Sequence, residues 1–326
     1  MSRELAALPC AAALLALVLA PALPVARAGE AYPSRPIRLV VGFGAGGPTD
    51  IPARFIADRL GQSLRQPVVV ENKPAAGGIV AARDVLAQPR DGYALLLCTH
   101  FDATNTAVYR DAGYKIGDIA PISLIAKYYY ALALSKGIAA NDFKSFVAYA
   151  KAHPGQVTYA TVGAASAQEI MARQLGKLAG VTMNRIPFRG GLQIAQELLA
   201  GRVDLYPSPP IAVISQYRAK QLKILATTSP QRLHNLPEIP TLREEGFDFV
   251  RFGWLGVCAG AGTPQPIIQM LNARIVPIVE SPEYRALIEN SGSIPESSSP
   301  AELGAVMQKT LEEVAPAIKE FGLQQD

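Results

Sequence analysis

The stretch Arg38 to Leu60, RLVVGFGAGGPTDIPARFIADRL, leaves this chain few choices of local structure. Leu39, Val40, Val41 and Phe43 make an apolar run around Gly42, which predicts a strand. Gly44, Gly46 and Gly47 predict a turn, and Thr49 and Asp50 are good N-caps for a following helix. Ile51, Phe55, Leu60 and Leu64 then recur close to helical spacing, with Pro52 in the first turn, where its missing N–H loses no intrahelical bond. Glycines let the backbone approach a ligand, and the free N–H groups and positive dipole end of a helix start attract an anion. The reading adopted is that this loop holds a carboxylate.

The same letters carry a rival reading. Gly42-x-Gly44-x-x-Gly47 fits a dinucleotide fingerprint, and Glu71 follows the next apolar run about where a ribose-binding acid would stand. That alternative makes the chain an exported nucleotide-dependent oxidoreductase. Pro48 argues against it, because the helix should already be running there. A tight turn with no ligand is a third reading. A phosphate-cradling loop is excluded, since no Lys-Ser/Thr follows the glycines.

Residues 5–25 are almost wholly apolar, preceded by Arg3 and followed by Ala26-Arg27-Ala28, which predicts an export leader over residues 1–28, cleaved after Ala28. Pro21 and Pro24 interrupt the segment and count against a membrane anchor. Export also removes the chain from cytoplasmic nucleotide pools. Without the leader 29 basic and 26 acidic residues remain, a weak positive balance with no basic cluster interleaved with aromatics, so nucleic acid is not an expected partner. Cys98 and Cys258 each sit in an apolar run, where a buried thiol is the default, although an exported chain could join them.

With 326 residues, 49% of them apolar, the chain can bury a large core and form two domains. From Pro36 to Ser123 strand-like and helix-like segments alternate, which predicts a mostly parallel sheet covered by helices. Ligands collect beyond the carboxyl ends of such strands, which points to Phe43–Asp50, Lys73–Gly78 and Thr99-His100-Phe101. Pro121–Ser135 reads as one strand crossing to a second lobe, and Phe249–Ala259 as the strand crossing back. Between them a second alternating series fills a lobe over residues 127–250. Helices after Pro264 return to the first lobe, which takes residues 29–126 and 251–326.

The second lobe repeats the logic of the first. Strand Val157–Thr161 opens into Gly163, Ala165 and Ser166, and Ser166-x-x-Glu169 has the form of a capping box. Arg189, after another strand, could add a cationic donor, and Asp204 and Ser208 could line the same cleft. Thr99 and His100 stand where a ligand would meet the third strand. No G-x-S-x-G or H-E-x-x-H occurs, and the three histidines lie far apart, so neither catalytic residues, metal nor cofactor is expected.

Taken together, several stretches resemble the Bug-type extracytoplasmic solute-binding proteins, the receptors of tripartite tricarboxylate transporters. They are Tyr32–Ile37, Gly44–Asp50, Gln66–Pro74, Ala76-Gly77-Gly78, Asp91-Gly92-Tyr93, His153-Pro154-Gly155, Pro187–Gly190 and Ala259–Pro264. The resemblance implies an α/β, two-lobed periplasmic binding fold (type II, Venus-flytrap) with two crossover hinge strands. It also implies a monomer that binds a small carboxylate and passes it to transporter membrane subunits or to a sensor kinase. Carried over by position, the ligand-holding residues are Phe43, Gly46, Gly47, Thr49 and Asp50, with Ala165 and Ser166 opposite. Two departures stand out: relatives usually have prolines where Gly44 and Ala45 stand, and often a histidine at Glu169.

Overall fold

The structure of the chain, a computed structural model, describes residues 32–163, 166–188 and 190–325. The expected leader over residues 1–28, Ala165 and Arg189 lie outside these residues.

The glycine-turn stretch forms as expected, with β1 at Ile37–Val41 leading to α1 at Asp50–Leu64. β2 (Val68–Asn72), α2 (Ile79–Leu86), β3 (Ala94–Thr99), α3 (His100–Val108) and β4 (Ile119–Tyr129) follow. β5 (Ala131–Leu134), α4 (Phe143–Ala152), β6 (Thr158–Thr161), α5 (Ala167–Ala179), β7 (Asn184–Pro187), α6 (Gly191–Leu199), β8 (Leu205–Ser208), α7 (Ile214–Arg218) and β9 (Lys223–Thr227) make the middle of the chain. β10 (Phe252–Gly260), α8 (Gln265–Glu280), α9 (Pro282–Asn290), β11 (Ile294–Pro295) and α10 (Pro300–Glu320) complete it.

Two sheets result, ordered β11-β4-β10-β3-β1-β2 and β7-β6-β8-β5-β9, so the chain is a two-lobed α/β protein. The first sheet is mixed rather than mostly parallel. β1 pairs in parallel with β2 and β3, but β10 and β4 run antiparallel to their neighbours, because they are the strands that cross between lobes and return. The expected single crossing strand is two, broken at Tyr130, with β4 in one sheet and β5 in the other. At the break Tyr130 and Thr228 exchange hydrogen bonds, and the Arg251 amide donates to the Thr228 carbonyl, which ties the two crossings together.

Each sheet is covered on both faces. Ile37, Leu39 and Val41 pack with α1, α8 and α9, whereas Val40 and Leu96 face α2 and α10. Burial on both sides explains why these strands read as continuous apolar runs. Trp254 is fully buried in β10, and its indole N–H donates to Thr310 Oγ1 on α10. In the second lobe Phe143, Phe146 and Met171 fill one face, and Ile194, Leu198 and Ile214 the other.

Cys98 and Cys258, whose default reading was free buried thiols, form a disulfide between β3 and β10 with their Cα atoms 5.8 Å apart. Changing both to alanine is expected to lower stability by about 2 kcal/mol, the low end of the usual range, since the sheet pairing itself remains. Guanidinium titration of the double variant against wild type measures this, and equal midpoints would refute it.

Candidate functional site

A cavity of about 830 Å³ lies between the two sheets. It collects the residues just past the carboxyl ends of β1, β2 and β3 from one lobe, and of β6, β7 and β8 from the other.

On the first lobe the wall is the β1–α1 loop. Phe43, Gly44, Ala45, Gly47, Pro48 and Thr49 all face the cavity. The first-turn amides of Asp50 and Ile51 are already bonded to the Gly47 carbonyl, and Pro52 has none. The N–H groups of Gly44, Ala45, Gly47 and Thr49 have no acceptor among the described residues. Contrary to expectation, Thr49 makes no side-chain cap, and its Oγ1 is buried without a partner.

Asp50 does not touch the cavity. Its side chain is 1% exposed and organises the loop from behind, accepting from the Gly46 N–H (2.8 Å), Arg54 Nε (2.7 Å) and Asn72 Nδ2 (2.8 Å). Burial pushes its pKa up, but Arg54, the Gly46 amide and Asn72 outweigh this and hold it below the ordinary aspartate value. Asn72 also donates to the Phe43 carbonyl. Gly46 serves the same frame from an exposed position at φ +71°, where a side chain would be strained, and it too is off the cavity wall.

The features behind the nucleotide reading have other partners. A Cβ at Gly42 would meet Gly78 Cα at 2.7 Å, so this glycine is required by packing against the Ala76–Gly78 turn. Glu71, the proposed ribose acid, is held by both Nε and Nη2 of Arg38, at 2.9 and 2.7 Å. Asp84 is likewise held, by Arg38 at 3.0 Å and Lys73 at 2.7 Å.

The floor is α3, an element missed in the sequence because HFDATNTAV is too polar for a core helix. Thr99-x-x-Asp102 is nevertheless a capping box, with the Thr99 hydroxyl accepting from the Phe101 amide and Asp102 accepting from the Thr99 amide at 2.7 Å. That spacing was the available signal. Thr99 and His100 line the cavity as expected. His100 is 3% exposed, and its Nε2 lies 3.1 Å from the Tyr130 hydroxyl. Burial drives its pKa down to about 4, with the Trp254 backbone pulling weakly the other way, so the ring is neutral near pH 7.

From the second lobe Gly163, Ser166 and Gln168 line the cavity. Ser166 caps α5 by accepting from the Glu169 amide. The box is not completed in return: the Glu169 carboxylate, 1% exposed, turns to Arg173 (2.9 Å) and Arg185 (2.8 Å). Asp204 and Ser208 do not line the cavity. Asp204 precedes β8 and binds the amide and hydroxyl of Thr158 at the amino end of β6, opposite to the cavity end. Ser208 is buried with its hydroxyl on the Pro209 carbonyl.

Residues that the sequence reading did not place in the site include Gln168, Tyr206, the Gly190-Gly191 start of α6, and Ile288, Ser291 and Ser293. Gly191 follows the strand-end rule and packs so closely on Tyr206 that a Cβ would lie 3.1 Å from its hydroxyl. The segment from Ile288 to Ser293 had no such signal, since only the fold brings it back. Among the described wall residues none is Lys, Arg, Asp or Glu. The arrangement therefore offers an anion neutral donors and four helix starts, those of α1, α3, α5 and α6, beside a largely apolar wall that includes Phe43, Phe101, Tyr128 and Phe188.

Protein BugT of Bordetella pertussis is 30% identical over 299 residues, covering 90% of this chain and 91% of its own. A solved R. palustris structure with adipate superposes with TM-score 0.86 at 28% identity, covering 90% of this chain and 99% of that one. MatC from Rhodopseudomonas palustris with bound malate gives 0.82 at 27% identity, covering 88% and 100%. Residues 52–323 match the family described as the tripartite tricarboxylate transporter family receptor, TctC. With that match spanning both lobes and the cavity between them, the chain belongs to this family of extracytoplasmic solute-binding receptors.

Proposed function

We propose that this protein captures a small carboxylate between its lobes in the periplasm, without turnover, and delivers it as a monomer to the membrane subunits of a tripartite transporter. The observation that carries this is one cavity walled by the unbonded amides of Gly44, Ala45, Gly47 and Thr49 from one lobe and by Gly163 and Ser166 from the other. In this reading Phe43, Gly47, Thr49, Thr99, His100, Gly163 and Ser166 contact the solute, with Ala165 and Arg189 beside them. Gly46 and Asp50 hold the loop in shape. The solved relatives with adipate and malate support the ligand class. The buried Cys98–Cys258 disulfide fits an oxidising compartment and an export leader ending at Ala28.

A ligand touching both lobes favours the closed form by its differential affinity alone. Neutral amides suit this task, because they hold a carboxylate without burying a fixed opposite charge that would have to be left unpaired on release.

The test is a thermal-shift and calorimetric screen of the mature chain against adipate, malate, benzoate and 4-hydroxybenzoate, with NAD as the competing ligand. At least one acid is expected to raise the melting temperature saturably; ligand at a hundred times its Kd adds about 2.7 kcal/mol of stability. A shift with NAD and none with the acids would replace the receptor reading by the nucleotide one.

A further inference from the structure

Gln168 is the third residue of the Ser166-started turn, 2% exposed and part of the cavity wall. Its amide oxygen is buried with no hydrogen-bond partner, and its side-chain nitrogen makes no bond to any described residue. The neighbouring wall amide behaves differently: Asn105 donates to the Gly77 carbonyl at 3.0 Å. Asn72 behind the loop is bonded three times, donating to the Phe43 carbonyl and Asp50 and accepting from Arg54. On the first-lobe side of the cavity the Thr49 hydroxyl and His100 Nδ1 are wall groups likewise buried without a partner.

An unpartnered amide in a buried wall is unfavourable unless something in the cavity completes it, and an apolar side chain of equal length would fill the place at lower cost. The carboxylate of a solute is already provided for by the unbonded amides of the β1–α1 loop. A half-turn of the Gln168 amide exchanges its oxygen and nitrogen, so the group can accept from or donate to a neutral partner.

We infer that Gln168 is the selectivity residue of the cleft, and that the solute carries, besides its carboxylate, a neutral hydrogen-bonding substituent such as a hydroxyl that meets it. This rests on the carboxylate-receptor reading above and narrows it to substituted acids. A site built to bond such a group discriminates strongly against an analogue that lacks it, because the protein group is then left unpaired.

The experiment uses two matched pairs of probes, malate against succinate and 4-hydroxybenzoate against benzoate, titrated calorimetrically into the mature wild-type chain and into Gln168→Met. Methionine keeps length and helix propensity, and a second variant, Gln168→Leu, guards against a fault of one side chain. Wild type is expected to favour the hydroxylated member of at least one pair by about tenfold or more, and both variants to bring that ratio within about threefold. Equal binding of both members by wild type, or a preference that survives in both variants, would overturn the inference while leaving the receptor reading intact. If none of these four probes binds while adipate does, the inference falls and the receptor reading stands; if adipate fails as well, both fall.

Discussion

For the acid that wild type binds most tightly in the carboxylate screen, Ser166→Asp is expected to weaken binding about a hundredfold or more, whereas Ser166→Asn weakens it less than tenfold, and both variants keep the wild-type fold. The contrast isolates charge. Ser166 caps α5 by accepting from the Glu169 amide, and aspartate and asparagine both cap as well as serine does. The two replacements have nearly the same shape and differ by one negative charge placed on the cavity wall. Unit charges ~5 Å apart at an effective dielectric near 20 repel by ~3 kcal/mol, which is the hundredfold. Calorimetric titration gives the affinities, and circular dichroism with melting curves checks the fold. Equal weakening by Asp and Asn would mean that steric fit at Ser166 matters and that no anion sits there.

The outline of this molecule was legible from the sequence wherever local chemistry determines structure. β1, its glycine turn and α1 could be read directly, because strand pattern, positive-φ glycine and helix start stand in one line. Ser299-x-x-Glu302 likewise forms the reciprocal cap that its spacing predicts, at 3.2 and 2.8 Å. What could not be read was set by distant partners. Asp50 has the letters of a ligand contact or a cap, but Arg54 and Asn72 claim its carboxylate and turn it into a brace for the loop.

The same holds for strand ends and polar helices. Asp204 stands just before β8, so its neighbourhood is the end of the sheet away from the cavity. Helix α3 is polar in letters and buried in fact, since α10, nearly two hundred residues later, packs over it. The break at Tyr130 divides a run of uniform β-formers between two sheets, and only the Thr228 contact across the crossings marks where it must fall. Gln168 looked like an ordinary helix residue because its distinction is a missing partner, which no spacing reveals.

The polar groups buried in α3 lead to the second large effect, a pair of opposed pH dependences. His100 and Asp102 are each 3% exposed, two residues apart in the first turn. Burial lowers the His100 pKa to about 4, and burial raises that of Asp102 to about 7 against the opposing hydrogen bonds from Thr99. Their ordinary values are 6.5 and 3.8. Between pH 4 and 6.5 the unfolded chain protonates the histidine while the folded chain does not. The His100 contribution is therefore present above 6.5 and lost as pH falls through about 4. Asp102 behaves in the reverse way. The folded carboxyl keeps its proton up to about pH 7 while the unfolded one ionises above 3.8, so that contribution is present below 3.8 and lost as pH rises through about 7.

The two slopes overlap and largely offset each other in wild type; single variants should separate them. Relative to wild type, Asp102→Asn lacks the acid's gain at low pH and is expected to lose ~4 kcal/mol of stability as pH falls from 7 to 4. His100→Gln lacks the histidine's gain at high pH and is expected to lose ~3 kcal/mol as pH rises from 4 to 7. Asparagine can still accept from the Thr99 amide, and glutamine keeps a polar partner for Tyr130, so neither change removes the hydrogen-bonding frame. Taking each variant as a difference from wild type cancels surface carboxylates such as Glu244 and Glu302, whose lowered values act alike in all three proteins. Urea unfolding at half-unit steps of pH supplies the profiles. Difference curves of the same sign, or flat ones, would mean that water reaches α3 and that its first turn is not the dry floor of the cavity.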